Sequence, residues 1–227
     1  MPLALWTPED VAPRGLVLVG HGAGAHKRED YVVALARRLV RTSGIAAASI
    51  DAPIHGERRG TAPEPPTLVM MQFAQAWSSD DTLTDRAVGD WVATLDALQM
   101  LAELAEVPVG YWGLSMGTLF GLPFVAAEPR VRACVLGLAG ITGPTAARLA
   151  ADAPNLTVPT LFLVQLDDEL FSTSSSLELF GEIGTEDKRL YMSPGRHRAV
   201  PKDAFLLSVD FLSSHLAQAA VPEGLAD

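Results

Sequence analysis

The stretch VPVGYWGLSMG, residues 107–117, decides the fold. Its first part is strand-like over 107–113, and residues 114–127 then predict a helix. Between the two lies GLSMG at 113–117, in which glycine stands two positions before and two positions after a serine. A serine on such a sharp strand-to-helix turn takes strained backbone angles, and small neighbours let the helix pass close to the strand. Ser115 is therefore a candidate nucleophile.

A serine hydroxyl is a poor nucleophile alone and needs an imidazole base that a carboxylate orients. Where a strand–serine–helix turn is used in this way, the acid and then the histidine follow the serine along the chain. Only His197 and His215 come after Ser115. His215 falls inside the last predicted helix, whereas His197 lies in the loop SPGRHRAVP after the last predicted strand. Open α/β sheets place their sites at such strand ends, so His197 is the candidate base.

The acid is expected at the end of an intervening strand. The predicted strand at 158–165 is followed by Leu166 and then by three consecutive carboxylates, Asp167, Asp168 and Glu169. Any of them can orient an imidazole, and the others then serve as solvated loop charges or helix caps. The residues alone leave this choice open.

Acyl transfer also needs N–H donors for the tetrahedral oxyanion. One is expected from Met116, the residue after the nucleophile. The second is expected from HGAG at 21–24, which follows a buried strand predicted over 15–20. We assign the N–H of Ala23, with that of Gly24 as the alternative. His21 is expected to brace this loop by hydrogen bonding.

Outward from this turn, strands and helices alternate along the whole chain, and a helix is expected over 86–105. This order predicts a single α/β domain over 1–227, with a mostly parallel sheet and helices on both faces. Residues 57–82 are too apolar for a linker and too long for a loop, so they are interpreted as a small cap insertion. Its Met and aromatic side chains suit an adaptable apolar substrate pocket. They are Met70, Met71, Phe73 and Trp77.

Composition excludes several classes of protein. The 227 residues carry 17 Lys and Arg against 27 Asp and Glu, and this net charge of −10 argues against nucleic-acid binding. No apolar run approaches the roughly 18 residues of a membrane helix, and no signal peptide is recognisable, so a cytoplasmic protein without a membrane partner is expected. The single Cys134 excludes an intrachain disulfide and falls in an apolar run, where an inert core thiol is expected.

A second polar cluster follows the strand expected at 45–50: Asp51, His55, Gly56 and Arg58. With His21 and His26 it offers metal-ligand residue types, but no pair has HxxxH or HExxH spacing. We therefore expect no metal here, and interpret the cluster as a structural turn network near the site.

Together these segments resemble the α/β-hydrolase superfamily, and more narrowly the small serine esterases related to dienelactone hydrolase. The resemblance covers roughly residues 15–215. It rests on HGAG with KRED after it, DAPIHGERR, GLSMG, DDELF and PGRH, in that order.

The resemblance implies a nucleophile at Ser115, a base at His197 and an acid at Asp168, because DDELF is similar to the family's acid loop. Gly24 and Phe171 are also expected to contact the substrate. Thr118 and Gln165 depart from the pattern, since relatives often have glycine at both positions.

The expected activity is hydrolysis of small to medium carboxylic esters without a cofactor. The alternatives are thioesterase, lactonase, acyltransferase or cofactor-free haloperoxidase-like chemistry on the same residues. A further alternative is a catalytically silent binding protein on this scaffold. The oligomeric state is not indicated by the sequence.

Overall fold

A seven-stranded sheet runs through the computed structural model, which describes residues 1–60 and 64–219. The strands are β1 Leu3–Trp6, β2 Leu16–Gly20, β3 Ala46–Ile50, β4 Val109–Gly113, β5 Val131–Gly137, β6 Thr160–Gln165 and β7 Lys188–Ser193. Their order across the sheet is β1-β3-β2-β4-β5-β6-β7. β1 pairs antiparallel with β3, and every other pair is parallel. The carboxyl ends of the six parallel strands therefore share one edge.

The helices are α1 Asp30–Arg38, α2 Pro66–Ser79, α3 Leu83–Gln99, α4 Met116–Ala127, α5 Ala146–Asp152, α6 Thr173–Glu182 and α7 Lys202–Ala219. Apolar side chains of α1 and α7 fill the core on one face of the sheet. Those of α3, α4, α5 and α6 fill the core on the other. A mostly parallel sheet with helices on both faces is thus confirmed.

The central strands explain why their sequences are continuously apolar. Leu16 and Leu18 of β2 enter the core under α3 and α4, while Val17 and Val19 enter the core under α1 and α7. A strand covered on both faces has no polar positions to alternate with. Cys134 of β5 is fully buried, and burial raises the pKa of its thiol to about 12, which keeps it protonated and unreactive.

The long helix expected over 86–105 differs in its bounds, because α3 begins at Leu83 and ends at Gln99. The chain then turns, with the N–H groups of Leu101 and Leu104 donating to carbonyls three residues earlier. These turns bring Leu104 into the core, where it is fully buried, while Leu101 stays partly exposed. Helices α5 and α6 were not predicted, since both are short and rich in small or polar residues.

Within the segment interpreted as a cap, α2 carries the apolar residues and packs its buried face against α3 and α4. Phe73 lies in one small cluster with Leu83, Met116 and Phe120. Residues 61–63 of that segment lie outside the described part of the chain. Among the described residues, no helix combines the length and apolar character needed to cross a membrane.

Candidate active site

Ser115 stands at the junction of β4 and α4 with φ 58° and ψ −122°, a conformation that costs about 1–3 kcal/mol for a residue with a side chain. The turn is tight enough to require its glycines. A Cβ on Gly117 would lie 2.7 Å from the carbonyl oxygen of Gly20, and one on Gly113 would lie 2.7 Å from that of Gly117. The strained turn that the pentapeptide predicts is therefore present.

Thr118, where relatives often have glycine, ties this turn to the neighbouring strand. Its buried hydroxyl lies 2.8 Å from the carbonyl oxygen of Gly113 and 2.7 Å from that of Gly137, and it accepts the N–H of Gly137. The N–H of Ser115 also donates to the carbonyl of Gly137. The departure from the family pattern thus adds hydrogen bonds that hold the serine in its strained conformation.

A chain of two hydrogen bonds leads from the serine to a carboxylate. His197 Nε2 lies 2.9 Å from Ser115 Oγ, and His197 Nδ1 lies 2.8 Å from Asp168 Oδ2. His197 is 6 % exposed, and its ring lies 5.8 Å from that of Phe171. Because a carboxylate accepts from Nδ1–H, Nε2 is left with the lone pair that faces the serine hydroxyl. His215, the other histidine after Ser115, instead contacts Asp187.

The three consecutive carboxylates have three different partners. Asp168 contacts the imidazole, Asp167 accepts the N–H of Gly195, and Glu169 accepts the N–H of His197. Asp168 also accepts the N–H groups of Leu170 and Phe171 through its other oxygen. All three acids therefore brace the histidine loop, but only Asp168 reaches the ring.

Electrostatics keep Asp168 ionised. Burial alone would raise the pKa of this carboxyl, but hydrogen bonds from His197 and from the N–H groups of Phe171 and Leu170 outweigh it and lower the pKa below its ordinary value. Gln165 supports the same loop, donating 2.6 Å to the carbonyl of Ala199 and accepting from Ser193. This second departure from the family pattern also connects β6 to the histidine loop.

In the loop after β2, the backbone N–H of Ala23 lies between two N–H groups that already donate to side chains, those of Gly22 and Gly24. The N–H of Gly22 donates to Tyr31 Oη, and that of Gly24 donates to His55 Nε2. Within residues 1–60 and 64–219, the N–H groups of Ala23 and Met116 have no protein acceptor. The N–H of Gly24, the alternative oxyanion donor, is thus already hydrogen-bonded to His55.

A cavity of about 470 Å³ opens at Ser115 and His197. Its apolar wall comes mainly from α1, from the β4–α4 turn and from the start of α7, and sequence reasoning missed these residues. They are Tyr31, Trp112, Leu114, Leu138, Val200 and Phe205. Trp112 was detectable, because it alternates with Tyr111 on β4 and so faces the α1 and α7 side of the sheet.

Of the expected substrate contacts from α2, only Met70 lines this cavity. Met71 is 69 % exposed and is not among the residues that line the cavity. Phe73 and Trp77 stack on each other within the packing under α2, and neither reaches the cavity wall. Gly24 and Phe171 are likewise behind the wall, Gly24 against Met70 and Phe171 in the core. Phe73, Trp77 and Phe171 thus serve packing and not ligand contact.

The second polar cluster is organised around a buried ion pair. Lys27 Nζ lies 2.6 Å from Asp51 Oδ2, and the backbone N–H groups of Lys27 and Glu57 also donate to this carboxylate. Burial opposes charge on both groups, but these hydrogen bonds prevail, so the pKa of Asp51 is lowered and that of Lys27 is raised. Asp51 thus joins the loops after β2 and β3, as the expected turn network requires.

Comparison with known proteins places the chain in a family. No protein-family model matches it. A cold-adapted esterase from an Arctic intertidal metagenomic library, solved as a PEG-bound complex, is 39 % identical over 94 % of this chain and 88 % of its own, with a TM-score of 0.84. Dienelactone hydrolase from Anabaena variabilis shares the fold at 22 % identity and a TM-score of 0.68, over 95 % of this chain and 90 % of its own.

A curated relative, the 2,6-dihydropseudooxynicotine hydrolase of Paenarthrobacter nicotinovorans, is 26 % identical over 60 % of this chain. The match spans only 31 % of that protein's length. The chain belongs to the α/β-hydrolase family. Within that family it is a hydrolase related to the cold-adapted esterase.

Proposed function

We propose that the protein is a serine esterase that cleaves small to medium carboxylic esters through a Ser115–His197–Asp168 triad and an acyl-enzyme. The observation that carries the proposal is the unbroken hydrogen-bonded chain from Ser115 Oγ through His197 to Asp168, with a cavity open at its serine end. The esterase from the Arctic library, 39 % identical over most of the chain, supports the same substrate class.

In the first step His197 Nε2 takes the proton of Ser115 Oγ while that oxygen attacks the ester carbonyl carbon. The carbonyl electron pair moves to oxygen, and the N–H groups of Ala23 and Met116 are the donors that stabilise it. The intermediate collapses, its C–O bond to the alcohol breaks, and the alkoxide leaves with the proton from His197. Asp168 stays ionised throughout and stabilises the imidazolium.

Water completes the cycle at the same base. His197 Nε2 removes a proton from the water as its oxygen attacks the acyl carbon, and a second oxyanion forms at the same two N–H groups. Collapse breaks the bond to Ser115 Oγ, which recovers its proton from His197, and the carboxylic acid leaves. No step uses a metal or an organic cofactor.

The size and lining of the cavity support the proposed substrate range. A volume of about 470 Å³ lies near the low end of pockets that bind drug-sized ligands. Its wall of Tyr31, Trp112 and Phe205 is aromatic and favours an apolar acyl or leaving group. Esters with short or medium chains, or with one aromatic ring, suit this space.

We extend the proposal to the domain organisation: one hydrolase domain in which 57–82 forms a small cap. The contacts of α2 support this, since a Cβ on Gly24 would lie 2.7 Å from Met70 Cγ and 3.0 Å from the carbonyl oxygen of Pro66. The cap then shapes one edge of the cavity and presses on the loop that carries Ala23.

A fluorophosphonate probe tests the nucleophile. The wild type is expected to be labelled at Ser115, and Ser115→Ala is expected to lose both labelling and ester hydrolysis. Ser214→Ala, on the exposed side of α7, is the matched control and keeps both. Absence of labelling on an active wild-type enzyme contradicts the serine mechanism.

A series of p-nitrophenyl esters from acetate to palmitate tests the substrate range. The ratio kcat/KM is expected to peak at acyl chains well below palmitate, because longer chains exceed the cavity. A maximum at the longest chain contradicts the size argument and leaves the triad untouched.

A further inference from the structure

Two buried histidines join the loop after β2 to the loop after β3 in a reciprocal arrangement. His21, in the first loop, accepts the N–H of Ala52 in the second at 3.0 Å. His55, in the second loop, accepts the N–H of Gly24 in the first at 3.1 Å. Their ring centroids lie 5.2 Å apart at an interplanar angle of 62°. Each loop therefore supplies an imidazole to the other loop's backbone.

The hydrogen bonds fix one tautomer at each ring. His21 Nδ1 lies 2.8 Å from the carbonyl oxygen of Gly22, and His55 Nδ1 lies 2.8 Å from that of Pro53. A carbonyl can only accept, so Nδ1 carries the hydrogen in both rings. A backbone N–H can only donate, so Nε2 of both rings must be bare. Both histidines are therefore neutral, and neither has a free nitrogen for acid or base chemistry.

The arrangement acts on the atoms proposed to bind the oxyanion. In the loop 21–25, the N–H of Gly22 is held by Tyr31 and that of Gly24 by His55. These two bonds fix the peptide units before and after the one that carries the N–H of Ala23, and that N–H remains without a protein acceptor in the described part of the chain. Gly24 has φ 79°, a left-handed conformation that glycine adopts without the steric cost that a side chain would bring.

We propose that His21 and His55 form a latch that holds the oxyanion loop, with His55 as a positioning residue for the N–H of Ala23. The latch rests on the proposed function, since it aims a donor at an oxyanion only in an acyl-transfer enzyme. It gives a role to the histidine of DAPIHGERR, which neither the triad nor the buried ion pair uses. It predicts that His55 affects the transition state more than substrate binding.

The tautomers give a test that needs no activity. In ¹⁵N spectra of the full chain, His21 and His55 are expected as neutral rings protonated at Nδ1. A ring protonated at Nε2, or a charged ring, at either position at pH 7.5 overturns the latch, whether or not the protein hydrolyses esters. Absence of ester hydrolysis and of fluorophosphonate labelling, with these tautomers present, counts against the proposed function alone.

The positioning role is tested by His55→Phe and His55→Gln, assayed on one ester. His55→Phe removes the acceptor, and kcat is expected to fall about 10- to 100-fold with KM nearly unchanged, less than the loss of an oxyanion donor itself. His55→Gln restores an amide oxygen that accepts the N–H of Gly24, and most of kcat is expected to return. His55→Phe keeps an aromatic ring beside Phe73 and loses the acceptor, whereas His55→Gln loses the ring and keeps an acceptor. A larger loss of kcat in His55→Phe than in His55→Gln therefore assigns the effect to the hydrogen bond and not to packing.

His26→Ala is the matched control, since His26 lies in the same loop, is exposed and contacts only neighbours in sequence. It is expected to keep the wild-type kcat. Equal kcat in His55→Phe and wild type overturns the positioning role. If His55→Phe does not fold, the result on His55→Gln decides: a loss as deep as that of Ser115→Ala contradicts the proposal, and near wild-type kcat supports it.

Discussion

Two histidines, His197 at the candidate active site and His55 in the latch, are similarly buried but have different hydrogen-bond partners. His197 is 6 % exposed and His55 is fully buried, and each has both ring nitrogens in hydrogen bonds. At His197 the Nδ1 partner is a carboxylate and the Nε2 partner is a hydroxyl that can lose its proton. At His55 the partners are a carbonyl and a backbone N–H, which exchange no proton with the ring.

The difference shows that the partners of a histidine, more than its burial, determine its chemistry. A carboxylate on Nδ1 stabilises the imidazolium that forms when Nε2 takes a proton, so His197 can cycle between two charge states. A carbonyl at Nδ1 stabilises the imidazolium much less than a carboxylate does. A backbone N–H that donates to Nε2 excludes the imidazolium, because that form carries a hydrogen on Nε2. His55 is thereby restricted to a structural acceptor, and the same residue type serves two different functions in one molecule.

The largest expected effect comes from making one substitution in both regions. His197→Gln removes the proposed base, and kcat is expected to fall about 10⁶-fold, as for a whole triad acting as a unit. His55→Gln keeps an acceptor and a donor and is expected to retain most of kcat. Steady-state kinetics on one ester measure both, and thermal unfolding checks that both variants fold. Comparable losses at the two positions contradict the division of roles.

A smaller effect distinguishes the neighbouring acids. Asp168→Asn leaves a neutral partner at Nδ1 that no longer stabilises the imidazolium or fixes the tautomer, and kcat is expected to fall about 10⁴-fold. Asp167→Asn keeps an oxygen that accepts the N–H of Gly195 and is expected to change kcat little. If Asp167→Asn is the more damaging variant, the acid has been misassigned.

Local sequence signals were sufficient for the fold class and for bringing Ser115 and His197 to the same edge of the sheet. Continuous apolar strands and the GLSMG turn each follow from a constraint within a few residues, so alternation, sheet type and the position of Ser115 could be predicted. The acid could be narrowed to Asp167, Asp168 and Glu169, because strand ends are visible in the sequence. Which of them turns toward the ring depends on φ and ψ angles in the loop, which composition does not fix.

The cavity wall and the latch could not be predicted in the same way. Tyr31 and Phe205 lie far apart in the chain and meet because α1 and α7 cover the same face of the sheet. Met71 and Met70 are adjacent and alike, yet helix rotation exposes the first and turns the second to the cavity. The reciprocal bonds of His21 and His55 depend on two loops at neighbouring strands, β2 and β3, being brought side by side.

The latch also makes a prediction about stability in acid. Burial, with the nearby His55, lowers the pKa of His21 from 6.5 to about 3, against the opposing effects of its bond to Gly22 and of Asp51. Between pH 6.5 and about 3, His21 is therefore protonated in the unfolded chain and neutral in the native protein. The contribution of His21 to stability is fully present above pH 6.5 and is lost as pH falls toward 3, by about 1.4 kcal/mol per pH unit.

Urea unfolding of wild type and His21→Asn from pH 7 to pH 4 measures this contribution. Asparagine can accept the N–H of Ala52 but does not titrate, so the free energy of unfolding is expected to fall less steeply in the variant. The comparison uses slopes, so a lower stability of the variant at pH 7 does not affect it. Parallel curves for the two proteins contradict a neutral, buried His21.

The smallest expected effect concerns the two arginines that flank His197 in the chain, Arg196 and Arg198. Among the described residues, the latch histidines have no such exposed charges beside the cavity. Arg196 is 75 % exposed and pairs with Glu169 at 3.3 Å. Arg198 lines the cavity and has no carboxylate partner in residues 1–60 and 64–219. An ester that carries an acid group is attracted by Arg198, and for a solvent-exposed pair this attraction is about 0.2–1 kcal/mol. Arg198→Gln is therefore expected to raise KM for such an ester by at most about fivefold and to leave KM for its neutral analogue unchanged.

Arg196→Gln is the matched control and is expected to change KM for neither ester. Added salt is expected to shrink the effect of Arg198→Gln, because screening weakens exposed charges first. An equal change of KM for both esters means that Arg198 shapes the cavity through its side-chain stem and does not select charge.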